Sequence, residues 1–403
     1  MNKKLGLAVA GALVAFSSAA NAGITIPAGD WTVDIGGNVN AYYTNTQVDT
    51  TDRATGVKTS AVDGNKIGTG LLPAALGIGA KTRQNDLDVA FQFTFWTGTS
   101  SGENVLQTNG NALNVASGGA AGNNTLNIRQ AFLTVGDASW GSIKAGRDLG
   151  IFGSDAILSD MTLLGVGTGG PAGGSSTLGR IGSGYIYADW KGQFSYTSPN
   201  FNGFQATAGV MENFRPSFLG AQGTVTSSNM AYEGKVTYDF AANDVTGRVW
   251  LSGITQKTEA SLESYTSQGF DIGAKVSYAG ATLVGYYYDG EGLDSQNALL
   301  QGLFNGNGEK SKDSGGYVQA TFVVPTIGTK LGASWGTSNS KGQHVNDFDI
   351  ENESWIVGAY HPLTKSLNLV AEYTAQEKKD RGALATNSKV ESDTISLGAI
   401  LFF

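Results

Sequence analysis

Few residues in this chain could do bond-making chemistry, and they are badly placed for it. The two histidines, His344 and His361, are the only side chains of near-neutral pKa, and no cysteine occurs. His344 sits between Gln343 and Val345 in a polar stretch and His361 precedes Pro362 at a turn, so neither faces a serine from a strand's middle. Without cysteine there is no thiolate nucleophile and no thiolate metal site. Gly165-Val166-Gly167 does not join a strand to a phosphate-binding helix. No enzymatic activity, cofactor or metal is expected. What remains is electrostatic chemistry. Asp148, Asp155 and Asp160 crowd into one stretch with Lys144 and Arg180, flanked by Arg129 and Lys191. Fixed charges of both signs at a narrow point select ions and small solutes rather than transform them. The expected pore constriction is therefore Arg129, Lys144, Asp155, Asp160, Arg180 and Lys191.

These charges must be carried by something. Two strand-like pieces, GSIKAGR and the run beginning at Tyr185, bracket a connection over about 148–184 that combines acids, a short apolar run and a Gly/Ser tail. Connections this long are uncommon inside a compact fold and are usually functional or disordered. This one is expected to fold inward and set the bore of a membrane pore.

The rest of the chain reads as the wall. Trp31–Thr44 alternates Trp31, Val33 and Ile35 with Asp34, Asn38 and Asn40, a period of two over a length suited to a tilted membrane strand. Gly269–Tyr278 sets Phe270, Ile272 and Val276 against Asp271, Lys275 and Ser277. Sixteen such segments can be marked, ending with Asp393–Phe403, and short turns alternate with long loops between them. A polar loop is expected from Thr44 to about Gly70, and one strand from Tyr185 to Ser198. The fold class is all-β: a transmembrane antiparallel β-barrel of about 16 strands with the long third loop in its lumen. A closed sheet answers the demand that every backbone group in hydrocarbon be paired within the protein. Tyr42, Tyr43, Tyr238, Tyr278, Tyr360, Phe402 and Phe403 are read as interface girdles.

The ends and the composition agree with that. Met1–Ala22 has Lys3 and Lys4, an apolar Leu5–Phe16 and Ala20-Asn21-Ala22, which is the pattern of a cleaved signal peptide. The barrel is then 23–403. Glycine numbers 58 against 7 prolines, poor material for helices and unlike a linker or collagen. A formal charge of −8 argues against nucleic-acid partners.

Several short pieces carry a family likeness: Arg129-Gln130-Ala131-Phe132, Gly141-Ser142-Ile143 leading into Gly146-Arg147-Asp148, Ser154-Asp155, Ser159-Asp160-Met161, Ser198-Pro199-Asn200-Phe201-Asn202-Gly203-Phe204, and the terminal Phe403. In this order the chain resembles the trimeric general porins of Gram-negative outer membranes, particularly the beta-proteobacterial branch. The resemblance implies a passive channel for small hydrophilic solutes and ions, a homotrimer, contact with outer-membrane lipid and lipopolysaccharide, and Phe403 as the signal for the barrel assembly machinery. It places Arg129 in the lumen and Asp160 on the inserted loop. The family's second loop acid would fall at Leu164 and a wall arginine near Ala75, both apolar here, with Asp155 as a substitute acid. Parity puts Lys144 in the lumen and Arg147 outward, where Glu103 of a neighbouring subunit's second loop could pair with it at the subunit interface.

Two other readings use the same barrel. One is a channel specialised for a single substrate class; the other is a non-conducting adhesive or structural barrel. The acidic run Asp347–Glu353 reads as a solvated loop, or as a bridge to lipopolysaccharide through a divalent ion.

Overall fold

The computed structural model describes residues 23–99, 126–169, 176–213, 229–259, 264–293, 310–342, 349–381 and 388–403. The signal-peptide segment 1–22 and Glu103 lie outside the described residues, as does His344.

Eighteen strands are present among the described residues. The first half comprises β1 (Ile24–Ala28), β2 (Trp31–Asp52), β3 (Lys58–Gly68), β4 (Ala74–Gln84), β5 (Leu87–Thr97), β6 (Asn127–Asp137), β7 (Gly141–Leu149), β8 (Trp190–Thr197) and β9 (Phe204–Glu212). The second half comprises β10 (Met230–Ala242), β11 (Val245–Glu259), β12 (Ser264–Tyr278), β13 (Ala281–Glu291), β14 (Lys312–Val323), β15 (Lys330–Lys341), β16 (Asp349–Pro362), β17 (Leu367–Asp380) and β18 (Ser388–Phe402).

Sixteen of them close a ring in which every neighbour is antiparallel. β2 pairs with β4, each following strand pairs with the next, and β18 returns to β2. The expected sixteen-stranded barrel is thus observed. Closure leaves the wall no unpaired edge.

Two strands, β1 and β3, were not anticipated, and β2 is longer than expected. β2 runs to Asp52 rather than stopping near Thr44, and β3 pairs along Tyr42–Thr51 where a polar loop was expected. Thr44–Asp52 is polar apart from Val48 and β3 carries only scattered apolar residues, so no alternation distinguishes the hairpin from a loop. β4 takes over the same flank of β2 at Thr32–Asn38. On the other flank β18 covers Asn38–Asp52 and β1 covers Trp31–Ile35. The last residue exchanges backbone hydrogen bonds with Gly37, Gly37 N donating to Phe403 O at 2.9 Å and Phe403 N to Gly37 O at 3.2 Å.

The faces of the wall invert the usual order of a soluble protein. On β18, Ile395 and Leu397 are 52 % and 53 % exposed while Ser396 between them is 1 % exposed. Likewise Phe270 and Ile272 are exposed on either side of a buried Asp271. An apolar outer band over a polar inner face suits a barrel in lipid. Of the expected girdle, Tyr43, Tyr238 and Tyr278 are exposed, but Tyr42, Tyr360 and Phe402 lie on the buried face. Position near a strand end does not fix which way a side chain points; parity does. Tight turns close one end: Asn85 and Asp86 both have positive φ between β4 and β5, as a two-residue hairpin loop with matching twist requires.

Candidate functional site

The connection between β7 and β8 is longer than expected at its far end. Tyr185–Asp189 belongs to it, and the strand begins only at Trp190. It holds one short helix, α1 (Ser154–Ser159), and a 3-10 turn, Met161–Leu164. Gly153 enters α1 with φ +75, and the Ser154 hydroxyl donates to Ile151 O at 2.7 Å. Asp160 closes the turn by accepting from Thr162 N at 2.9 Å. The same carboxylate accepts from Tyr185 Oη at 2.8 Å and Arg180 N at 3.2 Å, tying the start of the segment to its end.

A buried irregular backbone leaves N–H groups that must find partners. Here side chains on the buried face of distant strands supply them. Glu233 on β10 accepts from Ile151 N at 2.6 Å and Phe152 N at 2.9 Å. Asp271 on β12 accepts from Gly153 N at 3.0 Å. Gln319 on β14 accepts from Met161 N at 2.7 Å and donates to Ser159 O at 3.0 Å. Glu372 on β17 accepts from Val166 N at 2.9 Å and Gly167 N at 2.7 Å. Carboxylate acceptors make these bonds stronger than neutral ones. Between β3 and β4, Leu71 N donates to Gly165 O at 2.9 Å and Thr177 N to Gly70 O at 3.2 Å. A Cβ on Gly70 would lie 2.0 Å from Gly165 O, so this approach requires glycine.

Apolar packing reinforces the polar bonds. Phe152, Ala156, Ile157, Ile181, Tyr185 and Ile186 of the segment form one core with wall residues including Trp250, Tyr286 and Tyr317. Tyr317 Oη also donates to Ala156 O at 2.8 Å.

Between the segment and the β5–β11 wall lies a cavity of about 420 Å³. Arg129, Lys144 and Asp155 line it, together with Asp148, Lys235 and Arg248. Lys144 pairs with Asp148. Asp155 takes Lys235 Nζ at 2.6 Å and Arg248 Nη1 at 3.0 Å. Arg248 also holds Asp239 at 2.6 Å and 2.7 Å through its other nitrogens. Burial pushes the Asp155 carboxyl up, but the two cations outweigh it and hold the group below its ordinary range. Arg129 stacks 4.9 Å from the Trp96 ring. Tyr187, which accepts from Trp190 Nε1 at 2.6 Å, is pushed up to about 12 by burial.

The other three expected constriction residues are not brought to this cavity. Asp160 is spent on the segment's own turn. Arg180 is fully buried and donates to Ser334 and Ser354 on β15 and β16. Burial pushes its guanidinium down to about 10, still protonated at neutral pH. Lys191 is buried against Glu233 at 2.5 Å. Nearness in the chain to a long connection is not nearness to the cavity. Lys235 and Arg248 were missed as site residues: parity puts both on the inner face, but a pairing with Asp155 across 80 and 93 positions leaves no sequence signal.

Arg147 sits on the outward side of β7 with exposed Ile143, and donates to Ile128 O at 3.3 Å. Of the acidic run, Asp349 and Glu351 lie on β16, where Arg381 reaches Glu351 at 2.5 Å. His361 Nδ1 lies 2.9 Å from Thr329 Oγ1.

The anion-selective porin from Comamonas acidovorans is similar over 93 % of this chain and 100 % of its own, with 17 % identity and a TM-score of 0.59. The outer membrane channel DcaP of Acinetobacter baumannii is similar over 95 % and 100 %, with 15 % identity and a TM-score of 0.67. OmpT of Vibrio cholerae in a trimer form is similar over 93 % and 99 %, with 14 % identity and a TM-score of 0.53. At these identities the likeness is one of fold. No curated protein matches by sequence. The profile of the Gram-negative porins matches residues 8–381, nearly the whole chain, and the chain accordingly belongs to the Gram-negative porin family, as a β-barrel of the outer membrane.

Proposed function

We propose that this protein is a passive outer-membrane diffusion channel, with the Gly150–Asp189 segment folded into the lumen as its constriction. The observation that carries the reading is the cavity between that segment and the β5–β11 wall, lined by wall cations, by Asp148 of the wall and by Asp155 of the segment. A closed barrel with a polar inner face admits water, and a segment bonded to β10, β12, β14 and β17 has to reach across the interior to do so. Small hydrophilic solutes and ions would pass down their gradients through the remaining gap, sorted by size and by the fixed charges of Arg129, Lys144, Asp148, Asp155, Lys235 and Arg248. Asp160, Arg180 and Lys191 act on this reading by holding the segment in place. The protein transforms nothing.

The finer assembly picture belongs to the same reading. Met1–Ala22 directs export, Phe403 is presented to the barrel assembly machinery, and three copies associate in outer-membrane lipid and lipopolysaccharide, with Glu103 of one subunit meeting Arg147 of the next. A trimer form of a similar barrel supports three copies.

Single-channel recording in a planar bilayer under a salt gradient tests the proposal. Stepwise conductance closing in threes is expected. Folded protein that inserts and never conducts would overturn it in favour of a structural or adhesive barrel.

A further inference from the structure

The cavity has two unlike banks. On the segment side, Leu158 and Leu163 face it beside Asp155, joined by Leu72 from the β3–β4 connection and Leu149 at the end of β7. Three of these are the edge of the core, partly buried against it. Leu158 is different: it is 39 % exposed, on α1 one turn from Asp155, and lies outside that core. Facing them from the wall are Lys144, Lys235 and Arg248 among hydroxyl and amide side chains. The lysine side chains are a fifth to a quarter exposed and the arginine 41 %, so their charged heads reach solvent although each has a carboxylate partner.

A channel meant only for hydrated ions gains nothing from an aliphatic bank, because apolar surface left in water is unfavourable. A solute that covers that bank while keeping a negative group near the solvent-reaching cations removes the cost. We infer that the constriction holds a subsite for small organic anions with an apolar body, such as aromatic or branched monocarboxylates. The ring or branched chain lies on Leu72, Leu149, Leu158 and Leu163, and the carboxylate lies toward Lys144, Lys235 and Arg248. A cavity of about 420 Å³ accommodates one such molecule and leaves room for water. This inference rests on the channel reading above.

The test uses the full-length folded protein in planar bilayers carrying chloride current, with benzoate and nicotinate as probes. The two are nearly the same size and equally charged, but the ring nitrogen makes nicotinate more hydrophilic. Benzoate is expected to interrupt the chloride current at roughly tenfold lower concentration than nicotinate, a difference of about 1.4 kcal/mol. Leu158→Asn should abolish that difference and Leu158→Phe should enlarge it, each read against that variant's own chloride current. Equal interruption by the two anions, or a benzoate response indifferent to Leu158→Asn, overturns the subsite and leaves the channel standing. Absence of chloride current in the folded protein overturns the channel itself, and the subsite with it.

Discussion

Arg248 Nη1 on β11 lies 3.0 Å from Asp155 Oδ1 on α1, an ion pair that joins the wall to the short helix across the cavity. Lys235 completes the contact from β10, so a single carboxylate draws two wall cations toward the segment. Asp155 therefore sets both where α1 sits and how much positive charge the cavity displays.

Asp155→Asn removes one negative charge and leaves two cations without it. The chloride-to-potassium permeability ratio should rise about twofold or more, since charges at the narrowest point dominate selectivity. Reversal potentials under a salt gradient measure this, and an unchanged ratio would show that α1 lies away from the conducting path.

Acid should loosen the same contact. Because the folded protein holds Asp155 below its ordinary range, its stabilisation is fully present above the unfolded carboxylate value, about 3.9, and is lost as pH falls through the lower folded value. The part of any acid response that depends on Asp155 should therefore appear only below about pH 4. Asp155→Asn channels should lack the component that titrates with this group.

Glu372→Ala strips two amides, Val166 N and Gly167 N, of their acceptor. Each buried donor left unpaired costs about 1–3 kcal/mol. Hydrogen exchange at these two positions should accelerate while the wall strands stay protected. Uniform protection throughout would mean that other contacts suffice to hold the turn.

Gly70→Ala puts a methyl group where Gly165 O now lies, 2.0 Å from the added carbon. Backbone must move, and the segment is the less constrained partner. Conductance should change measurably, with the barrel's resistance to heat in detergent retained. A barrel that fails to fold would instead place the strain in β3 and β4.

Ile272→Lys places a charge on the exposed apolar face of β12. Insertion should weaken by about 2–4 kcal/mol if the residue sits near the bilayer midplane. Folding yield into lipid vesicles over a urea series reads the effect directly.

The wall was legible because a membrane strand repeats one simple signal. Residues such as Phe270, Asp271 and Ile272 alternate so regularly that all sixteen barrel strands could be marked, and Asn85-Asp86 marked a turn. β3 escaped because Lys58–Gly68 extends β2 without an apolar face to declare it. The site was read less well. Asp155, Lys144 and Arg129 stood out by type and neighbourhood, yet what each touches depends on how an irregular segment is routed. No period encodes that routing. Glu233, Asp271 and Glu372 share the inner parity with many other polar side chains, and only the fold gives them backbone amides to hold.

Those three acids grip peptide groups as well as side chains, and the peptide contacts do not depend on residue type. Every residue except proline offers an N–H, so Ile151, Phe152, Val166 and Gly167 are held by something their side chains do not supply. Substitution along the segment therefore leaves the clamp in place. Point changes on the segment's cavity face can alter its charge without loosening it, whereas a change at any of the wall acids releases backbone.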